Sequence, residues 1–364
     1  MSTPESNLDL GTILVIGGTG FIGTHVVQAF LDDPASGSIH VLSRTAPPAP
    51  KPNVTYHQGN MIDSTFMQSL ISTINPRVIL NLAYPGHRAK AKVLREVVVV
   101  GTTSLIKIAI ETPSVEALVY TSTAEVAKKL PGGGVLTEEN SQVWTEKDKT
   151  NAYFKNKAIG ETMVLSANCE KLRTLSLRVP GLYGEGHNVM IDNQLKTMRA
   201  GQHKIQLGNN DKLFEFVYVK SAAHAHVLAA KALLRGKQDP QAPKVDGEAF
   251  FISDGEPRPF WDIGRSIWKA AGDTTTKEDV KIIPFWVIFA MATIGEWFYW
   301  LFTLGTKEPE LRTVDLKYLS TGTVFSIEKA RERLGYAPLV NQEEGIQRSV
   351  KWALEHEGEN TKQH

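Results

Sequence analysis

Cysteine is nearly absent. Cys169 is the single one in 364 residues, so no disulfide can close within the chain and no cysteine-rich zinc site can be built. It lies in Ser166-Ala-Asn-Cys-Glu-Lys171 with no histidine signature beside it, and reads as an inert helical residue rather than a nucleophile. An excess of charge of one sign is missing too: 40 Lys and Arg stand against 39 Asp and Glu. Nothing draws phosphate backbones broadly, so nucleic acid is not expected as a partner. Met1 to Gly11 lacks both a basic start and an apolar stretch, so no secretory leader is expected. There is no internal repeat, and only one long apolar run, Phe285 to Leu304.

What is present is an alternation. Ile13–Ile16 is a short β-branched run, and similar runs recur at Ile39–Leu42, Val54–His57, Val78–Leu82, Leu118–Thr121 and Thr174–Arg178. Helical-length segments separate most of them. Strands alternating with helices imply parallel strands joined by crossovers, hence an α/β fold with a doubly wound parallel sheet. Residues 44–53 carry four prolines and form a loop. After Arg178 the alternation weakens, and Pro180-Gly181-Leu182-Tyr183-Gly184 reads as a loop. The expected organisation is a dinucleotide-binding core over 1–179, then a smaller substrate-binding lobe over 180–364, with about 214–253 returning to the core.

Gly17-Gly18-Thr19-Gly20-Phe21-Ile22-Gly23 sets glycines at i, i+3 and i+6 between the first strand and its helix. The first permits a sharp turn, the second close approach of a pyrophosphate, and the third close packing of helix on sheet. Thr19, Phe21 and Ile22 then present amides of the helix start to phosphate. About 20 residues on, the residue meeting the adenosine ribose is acidic in NAD sites and basic in NADP sites. Here the second strand ends in Ser43-Arg44, without a carboxylate, which favours NADP and leaves NAD open. Ala83, after the fourth run, completes this side of the crevice.

Of nine tyrosines only Tyr153 has a lysine four residues later, Lys157. On a helix both project to one face. A phenol has a reference pKa of about 10, and a neighbouring ammonium helps it act as an acid–base near neutrality. Upstream, Leu118-Val-Tyr-Thr-Ser-Thr-Ala-Glu-Val126 is a strand ending in hydroxyls, where Thr123 or Ser122 can donate to a substrate oxygen. The two-residue spacing of His224 and His226 points their rings apart on a helix, so no metal site is expected.

These motifs, in this order, resemble the extended short-chain dehydrogenase/reductases, and specifically the 3β-hydroxysteroid dehydrogenase/isomerase family. The likeness runs through Gly17–Gly23, Tyr120–Val126, Tyr153-x-x-x-Lys157 and Arg178-Val-Pro-Gly-Leu-Tyr-Gly-Glu-Gly186. It continues through Phe216–Val219 with Ala223–His226, and Leu334-Gly-Tyr-Ala-Pro338 before Glu344-Gly345. The resemblance implies Tyr153 as acid–base, Lys157 orienting the cofactor ribose and tuning Tyr153, and Thr123 as the catalytic hydroxyl. It also implies Pro180 to Tyr183 along the nicotinamide and Asn60-Met61 at the adenine, Asn60 replacing the family's Asp. The family's Asn before a Gly-Thr pair is absent from Val97-Val-Val-Val-Gly-Thr102. The implied activity is oxidation of a 3β-hydroxyl on a sterol or terpenoid, with possible loss of a neighbouring carboxyl as carbon dioxide. An NADPH-dependent ketoreductase and a non-catalytic NADP-sensing protein are the alternatives.

Phe285 to Leu304 has a single charge, Glu296, and is long enough to cross a bilayer. Gly295-Glu296 interrupts it and its aromatics crowd one end. A monotopic membrane contact or an apolar entrance to the substrate site is the first reading, with a buried core helix and a true span as alternatives. The resemblance supports the monotopic contact, and with it an intracellular protein at the endoplasmic reticulum membrane, a large apolar substrate and a homodimer.

Overall fold

The computed structural model describes residues 8–47, 49–86, 89–186, 189–303 and 313–357. Seven strands form one sheet: β1 (Gly11–Ile16), β2 (Ser36–Ser43), β3 (Val54–Gln58), β4 (Val78–Asn81), β5 (Ala117–Thr123), β6 (Arg173–Val179) and β7 (Glu248–Phe251). Their order is 7-6-5-4-1-2-3, and every neighbouring pair is parallel. The order reverses between β1 and β4, which opens a crevice at the carboxyl edge of the sheet.

Period-two alternation divides the core. Ile13 and Val15 of β1 join Val26, Val27 and Phe30 of α1 (Phe21–Leu31) on one face, whereas Leu14 and Ile16 join the opposite cluster. That second face is covered by α2 (Ser64–Ile74), α4 (Thr102–Glu111) and α5 (Ala152–Ser166). Helix α4 continues from α3 (Ala91–Arg95) through π-helical turns at Glu96–Gly101, so the valine run noted above is helical. Beyond β6, α6 (Val189–Arg199) precedes the 20-residue α7 (Val219–Gln238), which returns to the first face beside α1. Alanine at six positions of α7 lets it lie close against the strands.

Helix α6 and α8 (Phe260–Ala270) share a separate aromatic-rich core with Ile346 and Val350 of α12 (Gln342–Glu355). Between them in sequence run α9 (Phe285–Thr303), α10 (Thr313–Thr321) and α11 (Glu328–Leu334). Leu304, expected as the end of the apolar run, lies outside the described residues.

Three expectations are corrected. Helix α5 ends at Ser166, so Cys169 is an exposed loop residue whose amide bonds the Leu172 carbonyl at 3.0 Å. Gly181–Tyr183 is a short strand, not a loop, because Phe216–Tyr218 pairs with it in parallel. Gly295-Glu296 does not interrupt α9. The Glu296 carboxylate instead accepts the Thr313 amide at 2.7 Å and so joins α9 to α10. Nor is α9 a core helix: only Ile288 and Ala292 of its residues are buried.

Candidate active site

Strand register brings the singled-out residues to one edge. Ile16 pairs with Asn81, Asn81 with Tyr120, and Thr123 with Val179. Gly17, Ala83, Thr121–Thr123 and Pro180 therefore all emerge from the carboxyl ends of adjacent strands.

The glycine turn is sterically closed to larger residues. Gly17 has φ +83°, and a Cβ there would stand 3.1 Å from the Leu82 carbonyl carbon and 3.2 Å from the Ala83 Cα. A Cβ on Gly23 would stand 2.2 Å from the Gly17 oxygen, a backbone contact that no rotamer relieves. Gly20 caps α1 with no side-chain hydrogen bond and is exposed. The first-turn amides at Phe21, Ile22 and Gly23 follow this uncapped helix start beside the partly exposed Thr19, a turn suited to a pyrophosphate.

At the end of β2, Ser43 is buried and its hydroxyl donates to the Thr45 carbonyl at 2.6 Å, while Arg44 is exposed. Asn60 is exposed and accepts the Ile62 amide at 3.3 Å; Met61 is buried against Gly101. The Ala83 amide donates to Asn81 Oδ1 at 3.2 Å, and Pro180 is partly buried after β6.

On α5, the Asn151 side chain accepts the Tyr153 amide at 2.8 Å and starts the helix. Tyr153 and Lys157 follow one turn apart. The Tyr153 phenol lies beside Thr123, and its pKa is pushed up to about 12 chiefly by burial; Thr123 lowers it and Glu125 raises it. Lys157 is 3% exposed, and its Nζ donates to the Thr121 carbonyl at 2.8 Å. Burial pulls the ammonium down to about 7, opposed by the Glu161 carboxylate one turn on. Glu161 is itself held by Arg178 at 2.7 Å and Ser176 at 3.0 Å.

Sequence reasoning missed Glu161 and three further members of this site. The Tyr84 ring lies 4.8 Å from that of Tyr153, and the Lys157 ammonium stands 5.9 Å from Tyr84 and 4.8 Å from Tyr120. Burial raises the Tyr84 phenol well above its usual range, so it stays neutral. His226 is fully buried on α7. Its Nδ1 faces the Ala222 carbonyl at 2.7 Å, which makes Nδ1 the donor and leaves Nε2 to accept from the Thr121 hydroxyl at 2.8 Å. It thereby fixes the residue whose carbonyl holds Lys157. Glu125, whose amide reaches Thr123 Oγ1 at 3.4 Å, is the third. Only Glu161 carried a sequence signal, its four-residue spacing from Lys157. Ser122, the other hydroxyl considered, is buried with no partner for its Oγ among the described residues.

The profile of the 3-beta hydroxysteroid dehydrogenase/isomerase family matches residues 14–282. A sterol-4-alpha-carboxylate 3-dehydrogenase, decarboxylating, of Gibberella zeae is 38% identical over 79% of this chain and 94% of that protein. The protein so named in Saccharomyces cerevisiae is 32% identical over 94% and 98%. Among solved structures, dTDP-glucose 4,6-dehydratase from Bacillus anthracis in complex with NAD superposes with a TM-score of 0.69 at 19% identity, covering 95% of this chain and 97% of that one. UDP-glucose 4-epimerase from Thermotoga maritima gives 0.67 at 18%, covering 94% and 99%. At such identity the structural likeness speaks for the fold, a doubly wound parallel sheet.

Proposed function

From the premise that this chain belongs to the 3-beta hydroxysteroid dehydrogenase/isomerase family, we propose that it oxidises a 3β-hydroxyl to a ketone on a sterol or terpenoid skeleton. In this reading a carboxyl on the neighbouring carbon then leaves as carbon dioxide, the reaction named for its fungal relatives. The observation that carries it is the Thr123–Tyr153–Lys157 arrangement at the sheet edge that also bears the glycine turn.

Thr123 and Tyr153 hold the substrate hydroxyl, and the phenol oxygen takes its proton. The Lys157 ammonium, desolvated and aimed by Thr121, favours the phenolate that this transfer requires. A nicotinamide dinucleotide, when bound, accepts the two electrons and the hydrogen removed from the carbinol carbon. Gly17, Thr19, Gly20, Phe21, Ile22 and Gly23 would hold its pyrophosphate, and Ser43 and Arg44 the adenosine ribose. Asn60 and Met61 would meet the adenine, with Ala83, Lys157 and Pro180 toward the nicotinamide. The exposed Arg44, directly after β2, favours NADP.

The new ketone is β to the carboxylate. When the carbon–carboxyl bond breaks, its electron pair passes into the carbonyl as an enolate, carbon dioxide departs, and a proton on carbon restores the ketone. Helix α9 supports delivery of so apolar a substrate. Trp286 is 74% and Phe302 76% exposed, with Trp297, Phe298 and Trp300 also bare, a surface suited to lying in a membrane interface. Its 19 residues also meet the length and hydropathy needed for a span. We assign it to monotopic contact with the endoplasmic reticulum membrane.

Incubation with a 3β-hydroxy-4-carboxysterol and either cofactor tests the reading. Equimolar ketone, carbon dioxide and reduced nicotinamide are expected, with higher kcat/KM for NADP. Ketone that retains its carboxyl removes the decarboxylation; no reduced nicotinamide with any 3β-hydroxysterol removes the reading itself.

A further inference from the structure

A cavity of about 410 Å³ lies where α9 begins, well inside the size range of small-molecule pockets. Its walls are Phe214, Phe260, Trp261, Phe285, Trp286 and Leu319. Phe260 stands edge-on to both Phe214 and Trp261, with centroids 5.8 and 5.6 Å apart. The polar loop that rims it is tied back on itself. The Trp261 amide donates to Asn210 Oδ1 at 2.9 Å, Asn210 Nδ2 to Asp262 at 3.1 Å, and the Trp261 indole to the Leu207 carbonyl at 3.0 Å. With those groups paired, the aromatic faces are left to face the cavity.

Two features give this cavity a direction. Phe285 and Trp286 are at once its wall and the first turn of α9, so the apolar surface assigned above to the membrane runs without a break into it. On the far side, Leu319 belongs to α10, and the chain that follows it at Thr321 and Gly322 receives the Lys129 ammonium at 2.5 and 2.9 Å. Lys129 comes from the segment leaving β5, six residues after Thr123. Next to it, Thr323 bridges to Phe214. Through Gly322 and Lys129 the cavity is thus tied to the segment that leaves the strand bearing the catalytic hydroxyls.

We propose that this cavity is a vestibule that takes a flat, fused-ring 3β-alcohol from the lipid phase through the Phe285–Trp286 rim and passes it toward Thr123 and Tyr153. The inference rests on the substrate class proposed above, but its test does not depend on turnover. The probe is dehydroergosterol, a fluorescent 3β-hydroxysterol, carried in phosphatidylcholine vesicles with the full chain. Energy transfer from the wall tryptophans to the probe is expected in the unaltered protein. Leu319→Phe, which fills the cavity from α10 without adding a donor, is expected to cut that transfer at least fivefold and raise KM for vesicle-borne sterol about tenfold, with kcat within twofold. Asn209→Phe, at an exposed loop position, plugs it from the rim and is expected to act alike. Both variants should still sediment with vesicles. Unchanged transfer and KM in either folded, vesicle-bound variant overturn the vestibule. Transfer that responds to both variants in a protein that oxidises no sterol keeps the vestibule and overturns the catalytic reading instead.

Discussion

Helices α1 and α9 are both apolar, yet they meet opposite fates. In α1, 11 residues long, Gly23, Val26, Val27 and Phe30 are buried between sheet and α7. In α9, 19 residues long and the more apolar of the two, Ile288 and Ala292 alone are buried, while its tryptophans stand in the open. Hydrophobicity sets how much surface a helix must hide, but not where. The first helix hides its stripe against strands built a few residues away. Among the described residues Leu316 of α10 packs on the Ile288–Ala292 side of the second, while Trp286, Trp297, Phe298, Trp300 and Phe302 stay exposed, the surface that the proposed membrane contact requires.

The largest effect should come from the packed side of this contrast. In Gly23→Ala the added Cβ would meet the Gly17 oxygen at 2.2 Å, so α1 must move off the turn. A loss of several kcal/mol in urea unfolding is expected, with at least tenfold weaker nucleotide binding by titration. A Gly23→Ala protein that unfolds and binds like the parent would break the claim that α1 is held by backbone contact.

Next is a buried group whose charge the core resists. Asp254 accepts from the Tyr183 hydroxyl at 2.7 Å and the Tyr218 amide at 3.0 Å, and burial raises its pKa to about 7. The folded pKa exceeds the unfolded value, so folding stability is greatest below about pH 4 for this group and is lost as pH rises toward 7. The span corresponds to about 4 kcal/mol. Asp254→Asn should flatten that part of the stability profile between pH 4 and 8, measured by chemical unfolding; an unaltered slope would remove Asp254 as its cause.

The smallest effect on folding belongs to α9. Trp297→Ser, Trp300→Ser and Phe302→Ser together alter only exposed positions, so unfolding free energy should change by less than about 1.5 kcal/mol. Flotation with phosphatidylcholine vesicles should nevertheless fall at least tenfold. A large loss of stability would mean that α9 is packed after all; unchanged flotation would move the membrane contact elsewhere.

The same contrast governs what could be read from the sequence. Gly17–Gly23 and Tyr153 with Lys157 were legible because their chemistry is local: a three-residue glycine spacing and one helical turn already fix the geometry. The parallel sheet followed from alternating runs. Tyr84, His226 and Glu125 were not legible, since their roles arise from contacts with Tyr153, Thr121 and Thr123 that only the fold creates. Gly181–Tyr183 has the composition of a turn and becomes a strand because Phe216–Tyr218 arrives beside it. The apolar run at Phe285 read first as a membrane-surface helix or apolar entrance, with core helix and span left as alternatives, because hydropathy carries no information on what covers it.

The account stands or falls on the phenol of Tyr153. Steady-state oxidation of a 3β-hydroxysterol by Tyr153→Phe, with cofactor binding followed in parallel, tests it most directly. At least a hundredfold loss of kcat with nucleotide affinity retained is expected. Turnover near that of the parent protein would contradict it.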